Sequence, residues 1–110
     1  VDMGAMIKLM LSFKGYAVTL IEDAEEVEVA VLNQSFDLIF LDMLLSGKNG
    51  VDICRGLKND TAVQHIPIIM MSAHTDAKNI CMEAGANDFI AKPFEMHDIF
   101  LKITDILKSD

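Results

Sequence analysis

Basic residues are scarce in this chain: nine Lys and Arg stand against 17 Asp and Glu, for a net charge of −8. That balance argues against a nucleic-acid-binding surface, which would be basic. It assigns any DNA contact of a parent protein to another domain or partner. Cysteine is scarce too. Cys54 and Cys81 each fall within a helical pattern and read as small buried hydrophobes rather than a disulfide or metal pair. A reducing, cytoplasmic location fits that usage. No apolar run approaches the roughly 20 residues that a membrane span needs, so no membrane role is expected. The first helix-like segment is amphipathic and lacks the cleavage signature of a secretory signal. Internal repeats, low-complexity tracts and linkers are missing as well. What is present is material for one domain: 110 residues, 52% of them hydrophobic, within the usual range of about 100–150.

Hydrophobic periodicity divides the chain into alternating elements. Met3, Met6, Ile7, Met10 and Leu11 recur at helical spacing, and Gly15 stands where a helix C-cap belongs. Ala17–Ile21 reads as a strand of β-branched and apolar residues. Asp23 caps a second helix that runs to about Gln34, with Glu26 in its first turn. A strand ends at Leu41, and residues 42–50 form a loop rich in turn formers. Val51, Cys54 and Leu57 give one face of a third helix. Pro67 starts a strand where its missing N–H does least harm. Ala77, Ile80, Cys81 and Ala84 form a further stripe closed by Gly85, followed by a short strand at 89–91. Met96, Ile99, Phe100, Ile103 and Leu107 make the last amphipathic helix. The order α-β-α-β-α-β-α-β-α predicts an α/β fold with a parallel sheet covered on both faces. A repeat of this kind normally begins with a strand, whereas this one begins with a helix.

Three polar residues occupy matching positions at the ends of apolar runs. Asp42 follows Leu38–Leu41, Ser72 follows Ile68–Met71, and Lys92 follows Phe89–Ala91. Strands of a parallel sheet open their C-terminal ends on one edge, where ligands of open α/β sheets bind. An acid, a hydroxyl and an amine would converge there. A carboxylate beside an ammonium is a plausible nucleophile toward phosphorus, with the lysine neutralising charge on phosphoryl oxygens and the hydroxyl bonding one of them. A divalent cation, magnesium being the natural one, suits such chemistry. Each residue alone also fits an ordinary role: Asp42 as a turn residue, Ser72 as a strand end, Lys92 as a solvated lysine entering a helix.

The loop Asp42-Met43-Leu44-Leu45-Ser46-Gly47-Lys48-Asn49-Gly50 resembles the phosphoacceptor loop of receiver domains of two-component response regulators. Ile66–Ala73 resembles the strand ending in that family's switch Ser/Thr, and Ala84–Phe94 the segment with its switch aromatic and lysine. The resemblance covers nearly the whole chain. It implies a flavodoxin-like, CheY-like parallel sheet and a receiver domain over residues 1–110. Asp42 would be the phosphoacceptor, assisted by Ser72 and Lys92, with Phe89 and Ser72 as switch residues. Leu44 and His74 would modulate the lifetime of the phosphoaspartate, His74 reading equally well as a solvated loop residue. Magnesium would be held by Asp42 and the backbone carbonyl of Leu44. The Lys92–Pro93 bond would be cis.

Two departures stand out. Ser46 replaces a usual proline, which makes the loop less rigid. The family's first strand and its acidic magnesium-binding pair would fall before Val1, and Asp2 reads instead as a residue of the first helical turn. A chain lacking them is expected to bind magnesium weakly. It would then be N-terminally truncated, have the gap filled by another chain, or re-pair its remaining strands.

The resemblance implies phosphorelay signalling. A histidine kinase or phosphotransfer protein would donate to Asp42, and the 77–108 face would act on an output domain or effector. It leaves room for a homodimer and for a single-domain, multidomain or hybrid-kinase parent. It implies no enzyme beyond self-phosphorylation and autodephosphorylation. Two alternatives remain: an interaction module that has lost phosphorylation, and an aspartyl-nucleophile phosphatase. Such a phosphatase has a second Asp two residues after the first, where this chain has Leu44.

Overall fold

A computed structural model describes residues 3–21, 23–45, 48–73 and 77–108. The elements are α1 (Met3–Phe13), α2 (Ala24–Asn33), β1 (Ile39–Asp42), β2 (Leu44–Leu45), β3 (Lys48–Asn49), α3 (Gly50–Lys58), β4 (Ile68–Ser72), α4 (Ala77–Glu83), β5 (Asp88–Ala91) and α5 (Met96–Lys108). Three strands form a parallel sheet in the order β1-β4-β5. The register sets Asp42 opposite Met71 and Ser72 opposite Ala91, so the strand tips lie on one edge.

The sheet is covered on both faces, and β4 shows why its sequence is continuously apolar. All five of its residues are buried. Ile68 and Met70 join an apolar cluster with Val27, Val51, Cys54 and Cys81 from α2, α3 and α4; Ile69 and Met71 join another with Ile7, Leu11, Ile99 and Ile103 from α1 and α5. Side chains alternate across a strand, so a strand buried on two faces needs apolar residues at every position. Each fully buried Ile or Leu contributes about 1.5–3 kcal/mol. The expected α/β architecture with helices on both faces is therefore present, and both cysteines are free and buried.

Helix ends follow their capping residues. The Asp23 carboxylate accepts from the Glu25 N–H at 3.0 Å. The Asn49 side chain accepts from the Val51 N–H at 2.8 Å. Gly15 (φ 94°) and Gly85 (φ 105°) take the left-handed conformation just past α1 and α4, where glycine carries no Cβ penalty.

Several expectations need correction. Residues 17–21 form no strand: a strand requires a ladder partner, and among the described residues none adjoins them. A cavity of about 380 Å³ lies between that segment and β1 instead. The 42–50 loop contains a two-residue antiparallel ribbon, Leu44 opposite Asn49 and Leu45 opposite Lys48. Some stripe residues point outward: Met6 is 43% exposed, Ile80 47% and Leu107 36%. Ile106 rather than Leu107 packs against the core from the last turns of α5. Asp2, Ser46 and His74 lie outside the described residues.

Candidate functional site

Asp42, Ser72 and Lys92 come together where the strands end. Asp42 closes β1 and Ser72 closes β4; Lys92 follows β5 directly. The main chain locks these tips to one another. Met43 N–H donates to the Met71 carbonyl at 2.8 Å, and Lys92 N–H donates to the Ser72 carbonyl at 2.8 Å. Both bonds extend the parallel ladder one residue past its strands, which holds the three positions in fixed register.

The Lys92 ammonium donates to Asp42 Oδ2 in a half-buried ion pair. Ser72 is 3% exposed and is the only buried polar residue among the described residues. A hydroxyl at the end of a strand whose other residues are all apolar marks a place where polarity is used. Lys92–Pro93 is cis, as the resemblance implies.

Gly50 supplies the third wall. Its N–H donates to the Met43 carbonyl at 2.7 Å. A Cβ built there would lie 2.1 Å from the Asp42 carbonyl oxygen. Only glycine permits α3 to start this close to the acid. The sequence places Gly50 at the end of a turn-rich loop and shows neither this close approach nor the capping role of Asn49. The Asn-Gly pair ahead of an apolar helical stripe was the available signal.

Of the other predicted residues, Phe89 lies in β5 opposite Met70 and is already buried, 8% exposed, in the cluster that includes Ile68 and Met70. Leu44 begins β2. The described residues therefore bring a carboxylate, an ammonium and a hydroxyl to one sheet edge, an arrangement suited to binding an anion such as a phosphoryl group. A divalent metal fits less well. Among the described residues no three His, Cys, Asp or Glu side chains gather, and the one carboxylate at the edge is engaged by Lys92.

A family model described as "Response regulator receiver domain" matches residues 1–104. The chain belongs to this family. Receiver domains are signalling modules of phosphorelays rather than classical enzymes. The receiver is 34% identical over 104 residues to the DNA-binding response regulator MtrA of Mycobacterium tuberculosis (strain ATCC 25618 / H37Rv), covering 93% of this chain and 44% of that protein. It thus spans less than half the length of that relative. The crystal structure of a two-component response regulator from Clostridium difficile matches with a TM-score of 0.87 and 26% identity, over 96% of this chain and 86% of that one. The receiver domain of the sensor histidine kinase PA1611 from Pseudomonas aeruginosa PAO1, solved with a magnesium ion coordinated in the active-site cleft, matches with a TM-score of 0.87 and 28% identity. It covers 96% of this chain and 88% of that one. No helix among the described residues is long and apolar enough to cross a membrane.

Proposed function

We propose that this receiver accepts a phosphoryl group on Asp42 from a histidine kinase or phosphotransfer protein and passes the signal on by a change of conformation. The observation that supports this most directly is the Lys92–Asp42 ion pair beside buried Ser72. The carboxylate attacks phosphorus and the donor leaves. The Lys92 ammonium offsets charge on the phosphoryl oxygens, and the Ser72 hydroxyl donates to one of them. Transfer to Asp42 takes away the charge that Lys92 now pairs with and replaces it with a larger anion. That exchange biases the segment after Ser72 and the readout surface formed by α4, β5 and α5.

Phe89 starts from a buried position, so its part in the switch is to repack within the core. Leu44 and His74, two residues beyond Asp42 and Ser72, would tune the lifetime of the phosphoaspartate. The output is a protein domain or effector reached through residues 77–108. The net charge of −8 disfavours direct contact of this unit with nucleic acid. Self-phosphorylation from a small donor and slow autodephosphorylation are the extent of its chemistry. Leu44, standing where a phosphatase of related chemistry has its general acid, supports that limit.

Incubation with acetyl phosphate should add one phosphoryl group slowly, read by intact mass, and Asp42→Asn should abolish the addition. Phosphate on another residue of the Asp42→Asn variant would overturn the assignment. Magnesium should bind weakly, because hard cations of this size take one or two carboxylates and several further oxygens and Asp42 is the one carboxylate the described edge offers. A tight magnesium isotherm from the 110-residue chain would contradict that reading.

A further inference from the structure

Among the described residues, large apolar side chains are exposed on four helices: α1, α2, α4 and α5. Charge separates these helices into two kinds. α4 and α5 carry both signs, with Lys78 and Glu83 on one and Asp98 and Lys102 on the other. α1 and α2 each carry one sign. The charged residues within 3–15 are Lys8 and Lys14, and those within 23–33 are Asp23, Glu25, Glu26 and Glu28. Exposed apolar patches rimmed by polar residues mark interaction sites. Two such patches with rims of opposite sign are complementary to each other.

Their spacing matches as well. The exposed stripe on α1 is Met6, Leu9 and Phe13, the last 80% exposed. On α2, Val29 and Leu32 stand outward, 61% and 56% exposed, in line with exposed Glu25. Positions 6, 9 and 13 read backwards take the same steps as 25, 29 and 32, and both sets lie on one helical face. An antiparallel pairing therefore sets Met6 on Leu32, Leu9 on Val29 and Phe13 beside Glu25. Lys8 then flanks Glu28 on one side of the seam. Lys14, which also lies over the Phe100 ring, flanks Glu26 on the other. Opposite ends of the two helix dipoles come together in that arrangement.

One molecule cannot close these stripes on each other, because they cover opposite faces of the sheet. α1 packs with α5, and α2 packs with α3 and α4. We propose that α1 of one copy of this chain docks antiparallel on α2 of a second copy. The interface is heterologous, so every added copy leaves one stripe of each kind open. Two short helices bury far less than the roughly 1,600 Å² of a standard interface, and the association is correspondingly weak. The strand tips at Asp42, Ser72 and Lys92 and the 77–108 face take no part in it.

The test is sedimentation equilibrium of the 110-residue protein at concentrations up to about 1 mM, in the weak range for small interfaces. Its average mass should rise with concentration past twice that of the monomer. On dilution, amide resonances over 6–13 and 25–32 should move while those over 77–108 stay in place. Raising salt from about 0.05 M to about 0.5 M should weaken association at least about threefold, because exposed charge pairs are screened. One double variant, Leu9→Gln with Phe13→Gln, removes the α1 stripe; another, Val29→Gln with Leu32→Gln, removes the α2 stripe. Glutamine keeps helix propensity, and circular dichroism checks that each variant is folded; the dilution and salt series need no variant. Each variant alone should be monomeric, and an equimolar mixture should form a complex of two molecules and no larger. A parent protein that stays monomeric at about 1 mM, a mass that stops at a dimer, or resonance shifts confined to other residues would overturn the proposal. So would association indifferent to salt, a folded variant that self-associates alone, or a mixture that stays monomeric.

Discussion

A methyl group added at Gly50 would meet the Asp42 carbonyl oxygen at 2.1 Å, a contact with main chain that no side-chain rotation relieves. Gly50→Ala should therefore lower stability by about 1–3 kcal/mol, as overpacking does, and slow acetyl phosphate labelling by displacing Asp42. Urea melts and labelling rates measured together check both. Lys92 acts differently. Its loss leaves the acceptor carboxylate in place but removes the group that responds to phosphoryl transfer. Lys92→Ala should still gain phosphate, while the amide-exchange differences between phosphorylated and free protein over 77–108 disappear. Unchanged exchange differences in that variant would assign the coupling elsewhere.

At the scale of elements, the caps decide where helices begin. Asp23→Ala and Asn49→Ala each remove an acceptor from a helix N-terminus and should cost about 1 kcal/mol, read as a shift of the denaturation midpoint. The Asn49 change should be felt at the site as well, since α3 starts against Asp42. Helices, which satisfy their own backbone, and the strands that find partners within the described sheet were legible in the sequence. The five helices and the strands at 39–42, 68–72 and 88–91 each carried a period or a bounded apolar run. Residues 17–21 looked equally strand-like, yet a strand is completed by its neighbour and local composition cannot supply one. The site was legible for the same reason as the strands: Asp42, Ser72 and Lys92 mark where three apolar runs stop. Gly50's close approach was not, because the distance depends on how α3 docks against β1. Helical spacing likewise identified stripes without fixing which edge of a stripe meets solvent, as Ile80 and Leu107 show.

For the molecule as a whole, alkaline pH should be the destabilising direction. Burial raises the thiol pKa of Cys54 and of Cys81 above the ordinary 9.0. The native state then holds its thiol protons longer than the unfolded chain, so the stabilisation present below about pH 9 is lost as pH rises through the folded values. Lys58 pulls the other way. Burial lowers its pKa from 10.5, and its penalty is relieved as pH climbs toward that value. Replacing both cysteines with alanine should flatten the alkaline fall in melting temperature, whatever the cavities do to its level. Thiol reagent should label native protein slowly and unfolded protein at once.

The ion pair between Asp88 and Lys102 gives this architecture a mechanical property. The ammonium holds both carboxylate oxygens at 3.1 Å and so fastens the start of the last strand to the middle of the final helix. A displacement of Lys92, four residues after Asp88, should therefore be felt at that helix, where a binding partner would sense it without touching the acid. The clasp is about a third exposed, so salt screens it, and the transmission should slacken in concentrated electrolyte.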